Sequence, residues 1–335
     1  MTSAKRVTLT DVAKLARVDK SVVSRVINDD DRLVIKPETR DRVLAAIQEL
    51  DYHPNAAARS LRTAQSGTYG LLIPDFANPI YAEIIKGAEQ AAAARDTVLL
   101  TGTVNEDHPE RYVRMLASGR VEGLLLASDK LSAQAIEALR HTGRPIVSVN
   151  QRVPGVERMI LADDERASAL VVRHLTDLGH ERIAHIRGPR NSDTARRRLN
   201  GYRGALRAGG LTPDPALVAG DGYTSETGAE AMRELLALPE PPTAVLVANV
   251  AAAVGALSAA RQLGVRVPED VSVATIHDIP LAANLAPALT TVRMPLAEMG
   301  RQGMLALFGE DSGSGRTVVR TETELIVRDS TSARA

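Results

Sequence analysis

Lys20, Ser21, Ser24 and Arg25 fall within one stretch of six residues, and their types suit one chemistry: hydrogen bonding to the base edges and phosphates of DNA. They belong to VTLTDVAKLARVDKSVVSRVIN, residues 7–28. Leu9, Val12, Ala13 and Ala16 recur at helical spacing, which predicts a first helix with one apolar face. Val18 closes the turn, and Asp19 is a good N-cap for a second helix. That helix carries Val22, Val23, Val26 and Ile27 inward and leaves the four polar residues on its other face. Cationic and hydroxyl side chains in the first turns of a helix braced by a preceding one are how a helix-turn-helix enters the major groove. By periodicity alone, the stretch is equally an ordinary solvated helical hairpin.

Other chemically capable residues form no catalytic motif. The chain has no GxxxxGK[ST] phosphate loop, no HExxH and no GxSxG. His180 and His185 are five apart, which does not place both rings on one helical face, so they read as a loop and a strand. GDGYTSETG is glycine-rich without the spacing of a dinucleotide turn. There is no cysteine, which excludes structural disulfides, thiolate zinc sites and thiol nucleophiles. The expectation is a protein that is not an enzyme and carries no cofactor and no metal.

The elements that must position these residues divide at about residue 66. The chain has 335 residues, enough for two or three domains. Apolar residues make up 44% and aromatic residues 2%, so the core is built from Ala, Val, Leu and Ile. Formal net charge is zero, but residues 1–66 hold 12 Lys/Arg against 9 Asp/Glu and the remainder 29 against 32, the polarity that DNA binding favours. MTSAKRVTLT lacks the apolar core of a signal peptide, and no run approaches membrane-spanning length, so the expectation is a cytoplasmic protein without membrane contact. PETRDRVLAAIQEL, residues 37–50, reads as a third helix with Pro37 first and Val43, Leu44, Ile47 and Leu50 buried. From residue 69, the apolar runs YGLLIP, TVLLTG, GLLLAS, PIVSVN, IAHIRG, AVLVAN and VSVATI alternate with amphipathic segments at 80–95, 163–178, 196–208, 225–237 and 250–263. Such runs predict parallel strands covered on both faces, hence a doubly wound α/β architecture, and their number favours two lobes. Asp75, Ser128, Asn150, Asn249 and His277 follow the runs, at carboxyl ends where α/β sheets bind ligands.

The ordered set TLTDVAKLA, VVSRVIN, LDYHPNAAARSLRT, GLLIPDFANPIYAEII, VEGLLLAS, HLTDLGHERIAHIRGP, RRRLNGYRGAL, PPTAVLVAN, GVRVPEDVSV and DIPLAANLAPALTTVRMP resembles the lactose/galactose repressor (LacI/GalR) family of bacterial transcription regulators over essentially the whole chain. The resemblance implies a helix-turn-helix headpiece at 1–53 and a hinge helix and linker at 54–66. It also implies a periplasmic-binding-protein-like core at 67–335, with an N-lobe of about 67–161 plus 293–322 and a C-lobe of about 162–292 with the C-terminal tail. It assigns DNA contacts to Thr8, Lys20, Ser21, Ser24, Arg25, Asn28, Asn55, Ala58, Arg59, Leu61 and Arg62, with Leu61 as an apolar wedge between central base steps. It assigns effector contacts to Asp75, Phe76, Asn78, Tyr81, Ser128, Asn150, Arg198, Tyr223, Asn249 and His277. Arg198 would donate to hydroxyls or carboxylates, unless it is a surface residue of RRR, and Phe76 or Tyr223 would stack on a ring.

Three positions depart from the family pattern. Val250 follows Asn249 where Asp is usual, Gln151 follows Asn150 where Arg is usual, and His277 stands where a hydroxyl-binding carboxylate is usual. A histidine there points to an anionic or nucleobase-like ligand and to binding that varies near pH 6–7, or else bonds only to backbone. The implied partners are double-stranded operator DNA, a small effector (a sugar, sugar phosphate or nucleoside-like compound) and a second copy of the chain. The alternative is a ligand-binding sensor of the periplasmic-binding type. IKGAEQAAAAR, within the helix at 85–95, is small enough to pack on a partner subunit or in the core.

Overall fold

The computed structural model describes residues 7–27, 30, 32–52, 66–310, 315–321 and 323–334. The chain forms two units, Met1–Ser66 and Gly67–Ala335.

The first unit contains α1 (Leu9–Ala16), α2 (Lys20–Ile27) and α3 (Pro37–Glu49). Thr8 starts α1 through a capping box: its hydroxyl accepts from Asp11 N–H, and the Asp11 carboxylate accepts from Thr8 N–H. Arg17 ends α1 in the left-handed region at φ 54°, and Val18 N–H returns to the Ala13 carbonyl at 3.1 Å. Val12, Ala13, Ala16, Val23, Val26, Val43 and Ala46 form the core. The Arg42 Nε donates to the Ala16 carbonyl at 2.9 Å and ties α3 to the end of α1. The buried stripe of α3 runs through Val43 and Ala46, with Ile47 and Leu50 beside them, while Leu44 is 46% exposed. Leu44 was expected inside, but one residue past Val43 it is rotated about 100° from the face that α1 and α2 cover.

The second unit holds two six-stranded sheets. One is built from β1 (Thr68–Ile73), β2 (Val98–Thr103), β3 (Leu124–Leu126), β4 (Ile146–Val149), β5 (Arg158–Ala162) and a late strand, β11 (Arg316–Val319). The other is built from β6 (Ile183–Ile186), β7 (Val218–Ala219), β8 (Ala244–Val247), β9 (Ser272–Ile276), β10 (Thr290–Arg293) and β12 (Glu324–Ile326). The orders are β11-β5-β4-β3-β1-β2 and β12-β10-β9-β8-β6-β7, with every pairing parallel except β10 with β12. Strand order reverses between β1 and β3 and between β6 and β8, so each sheet has a crevice at its carboxyl edge. β1, β3, β6, β8 and β9 are buried almost throughout, as continuous apolar runs predict. β2 is an edge strand and leaves Val98 and Leu100 exposed, so its run is not covered on both faces.

The helices are α4 (Ile80–Ala93), α5 (Glu110–Ala117), α6 (Ala133–Arg140), α7 (Asp164–Asp177), α8 (Asp193–Ala208), α9 (Ser225–Leu236), α10 (Val250–Gln262), α11 (Pro280–Ala283) and α12 (Leu296–Leu307). The chain passes between lobes three times: from β5 to α7, from β10 to α12, and from β11 to β12. The Arg320 Nε donates to the Asp163 carboxylate at 3.0 Å and joins the third crossing to the first. The alanine-rich helix α4 is a core helix, with Ala88, Ala91 and Ala92 buried against α12. A Cβ on Gly87 would lie 1.8 Å from the Ala297 carbonyl oxygen, so these backbones touch because no side chain intervenes.

Candidate functional site

Two places gather the polar residues singled out above. The first is α2. Lys20, Ser21 and Arg25 are exposed and Ser24 is half-buried, all on the side away from Val23 and Val26. Hydrogen bonds from Ser21, first its side chain and then its backbone N–H at 2.7 Å, hold the Asp19 carboxyl below the usual range. Asp19 thereby caps α2 as the sequence predicts, and the first turn is fixed with its donors outward. The Arg25 Nε lies 3.9 Å from the Asp30 carboxylate, an exposed pairing that costs little to exchange for a phosphate. Thr8 is exposed and uses its hydroxyl in the α1 capping box. Asn28, Asn55, Ala58, Arg59, Leu61 and Arg62 lie outside the described residues.

The second place is the crevice between the two sheets, built on strand ends. Asn150 follows β4, Asn249 follows β8 and His277 follows β9. With Asn78, Ile80, Tyr81, Gln151, Thr194, Arg198 and Tyr223, they line an inner chamber of about 10 Å³, room for about one oxygen-sized group. Asn150 and His277 are both in the left-handed backbone region, at φ 70° and 80°, a strained conformation for non-glycine residues that concentrates at functional sites. Asn249 caps α10, accepting from Ala252 N–H at 2.9 Å and donating to the Tyr223 carbonyl at 3.1 Å. The Tyr223 ring lies against Gly188, where any Cβ would fall 2.2 Å from a ring carbon.

Arg198 is a buried member of RRR, 1% exposed, and each of its three nitrogens has a partner. Nε donates to Asp164 at 2.7 Å, Nη1 to the Ala248 carbonyl at 2.5 Å, and Nη2 to the His277 Nε2 at 2.9 Å. Asp164 also pairs with Arg197, whose Nε donates to Asp193 at 2.9 Å and whose Nη2 donates to the Asn150 carbonyl at 2.8 Å. Two buried guanidinium groups thus share two buried carboxylates. Burial, then the Arg198 charge, pushes the His277 imidazole well below its ordinary range. His277 is therefore neutral at pH 6–7, which corrects the expectation that it would titrate there.

An outer vestibule of about 530 Å³ adjoins the chamber and shares Asn78, Tyr81, Gln151 and Tyr223 with it. Asp75, Asp129, Lys130, Ser192 and Glu226 contribute to its wall. Burial raises the Asp129 carboxyl. Arg152 N–H donates to Asp193 at 3.3 Å, and the Thr194 hydroxyl to the Asn150 carbonyl at 3.3 Å. The start of α8 is thus held against the first sheet by direct contacts between lobes. Phe76 and Ser128 line neither cavity. Phe76 is 56% exposed because an Asp75 turn, closed by Ala77 N–H at 2.8 Å, carries it outward. Ser128 is fully buried and accepts from Lys130 N–H.

Sequence reasoning overlooked Asp164, Asp193 and Thr194, and treated Gln151 only as a departure. A signal was present: Asp163-Asp164 opens a helix directly after a strand, and Ser192-Asp193-Thr194 opens another. Acidic and hydroxyl residues at such helix starts cap them and face the strand ends. His185, expected in a strand, is in β6; burial pushes it to about 4, and its Nδ1 bonds the Leu246 carbonyl. Among the described residues, no group of His, Cys, Asp and Glu could hold a metal ion, and no helix is long and apolar enough to cross a membrane.

Comparison with known proteins bears on both places. The family described as bacterial regulatory proteins, lacI family, matches residues 8–55, and that described as periplasmic binding protein-like domain matches residues 172–331. The transcriptional repressor CytR of Escherichia coli K12 is 35% identical over 333 residues, 97% of this chain and 96% of that protein. The ribose operon repressor of the same strain is 39% identical over 298 residues, 88% of this chain and 89% of the relative. A crystal structure of the lac repressor dimer bound to operator and an anti-inducer matches with a TM-score of 0.86 at 29% identity, covering 98% of this chain and 100% of that one.

Proposed function

This chain belongs to the LacI family of bacterial regulatory proteins, and from that premise we propose how its parts divide the work. It is a DNA-binding transcriptional repressor that acts as a dimer on operator DNA and is modulated by a small molecule bound in its core. The finer assignments are ours. α2 reads the major groove of each half-site, with Lys20 and Ser21 on base edges, Arg25 on a guanine or phosphate, and Ser24 and Thr8 on the backbone. Residues 1–53 form the headpiece and 54–66 the hinge, where Leu61 wedges a central base step with Asn55, Ala58, Arg59 and Arg62 beside it and Asn28 on the headpiece side. The effector occupies the crevice at 67–335, contacting the chamber and vestibule residues. No catalytic step is assigned, and the site of action is cytoplasmic DNA.

One observation carries this reading: a single chain joins a helix presenting exposed cationic and hydroxyl side chains to a two-lobed crevice lined with buried polar groups. A ligand sensor without DNA regulation leaves the first half unused. Selection of binding sites from a randomised DNA library by the full chain tests it. Wild type is expected to enrich a pseudo-palindrome. Lys20→Ala and Ser21→Ala are expected to relax base preference at symmetric positions by about 1–3 kcal/mol per lost contact. Unchanged preference in both variants would remove α2 as the reading helix.

A further inference from the structure

We propose that Arg187, Arg190 and Arg203 form a second ligand site, on the flank of the lobe built on the second sheet, and that it takes a phosphate group. None of the three lines the chamber or the vestibule, so the site stands apart from the effector reading above.

Separate elements bring the three arginines together. Arg187 directly follows β6, and its N–H donates to the Ala219 carbonyl at the end of β7 at 2.9 Å. That bond sets Arg187 beside Gly220 and Asp221. Arg190 is tied to the same place. Its N–H donates to one Asp221 carboxylate oxygen at 2.6 Å, and its Nε lies 3.8 Å from the other. Arg203 arrives from α8. Side chains two apart on an extended chain share a face, so Arg187 lies on the side taken by His185. The His185 ring stacks on Tyr202 of α8 with centroids 5.2 Å apart, and Arg203 is the next residue.

The charges in this cluster do not balance. Arg187 is half-buried, and its Nε donates to the Gly188 carbonyl at 3.2 Å. Its two terminal nitrogens have no hydrogen-bond partner among the described residues. Arg203 is half-buried as well, and its side chain makes no hydrogen bond or ion pair among the described residues. Asp221 is the carboxylate at hand, but its side chain is 56% exposed and already serves Arg190. Burial, then the Arg190 charge, lowers the Arg187 guanidinium, with Asp221 opposing and Arg203 adding to the effect. Three cations around one exposed carboxylate repel one another, and a bound anion removes that cost. A guanidinium presents parallel N–H donors that match phosphate oxygens two at a time. A phosphate group carries about 1.5 to 2 negative charges near neutral pH, which offsets the excess of three cations over one carboxylate.

The test titrates inorganic phosphate and pyrophosphate into the full chain by calorimetry, at fixed ionic strength in chloride. Wild type is expected to bind both. Arg187→Gln and Arg203→Gln are each expected to weaken pyrophosphate binding roughly ten-fold or more, as loss of a charge-assisted bond requires. Arg207→Gln removes the same charge one turn further along α8 and is expected to stay within about two-fold. Arg190→Gln, on an exposed loop, carries the same test should a half-buried variant fail to fold. Ribose 5-phosphate with ribose, and adenosine monophosphate with adenosine, identify the source. An ester that binds more tightly than inorganic phosphate, and loses that advantage in Arg203→Gln, supports the site with a phosphorylated metabolite as its ligand; an ester that binds no more tightly supports it with the free ion. The proposal is overturned if wild type binds neither inorganic probe, if Arg203→Gln binds as wild type does, or if Arg207→Gln weakens binding as much as Arg203→Gln, which would mark diffuse attraction rather than a site.

Discussion

Asp164 is 1% exposed and lies between two guanidinium groups, Arg197 and Arg198. Its charge is what allows both arginines to be buried beside the crevice. Asp164→Asn keeps the shape and removes the charge, leaving Arg198 without an anionic partner. The expected loss is about 3–5 kcal/mol of unfolding free energy in urea titration; a loss below about 1 kcal/mol would mean that solvent or rearrangement supplies the missing charge. This network also marks where residue-level reading stopped. Asn150, Asn249 and His277 were legible because they directly follow apolar runs, and strand ends meet at the crevice. Arg198 was legible as a position but not as a role, since only the phase of α8 tells it from Arg196, which is largely exposed. Phe76 was misplaced because a turn closed by Asp75 sets its direction, and that hydrogen bond has no periodic signature.

At the scale of elements, backbone contact at glycine is the sharpest constraint. Gly87 on α4 meets the Ala297 carbonyl, and Gly300 on α12 meets the Ile84 carbonyl, so the two helices interlock at both points. Gly204, inside α8, has open space where a Cβ would sit. Gly87→Ala is expected to destabilise the core by about 1–3 kcal/mol or more, whereas Gly204→Ala is expected to stabilise it by about 0.5–1 kcal/mol through helix propensity. Equal midpoints for the two variants in parallel urea titrations would contradict the interlock. The seven apolar runs all became strands; in all but the edge strand β2, burial on two faces writes itself as continuous hydrophobicity. β5, β7, β10, β11 and β12 were not singled out: they are short, at or near sheet edges, or half polar. α12 was missed for a different reason. It belongs to the first sheet's lobe yet follows a strand of the second, a placement set by long-range packing.

At the scale of the whole core, three crossings join the lobes and direct contacts close the crevice. Asn150 and Arg152 bond the start of α8 from the opposite lobe. Under the proposed reading, a ligand acts by shifting the balance between this arrangement and a more open one. It can shift that balance only by its difference in affinity for the two. The overall plan of a helix-turn-helix unit followed by a two-lobed core was the most legible level, because it rests on many ordered motifs rather than one side chain. The sign of the response was not legible, since it depends on which arrangement suits the operator.

The most direct measurement is reciprocal. Operator Kd is measured with and without saturating ligand, and ligand Kd with and without saturating operator, on the full chain at one salt concentration. The account predicts that both change by the same factor, about 5- to 150-fold, corresponding to a coupling of about 1–3 kcal/mol. An operator affinity that does not move when the core is saturated with ligand would contradict it.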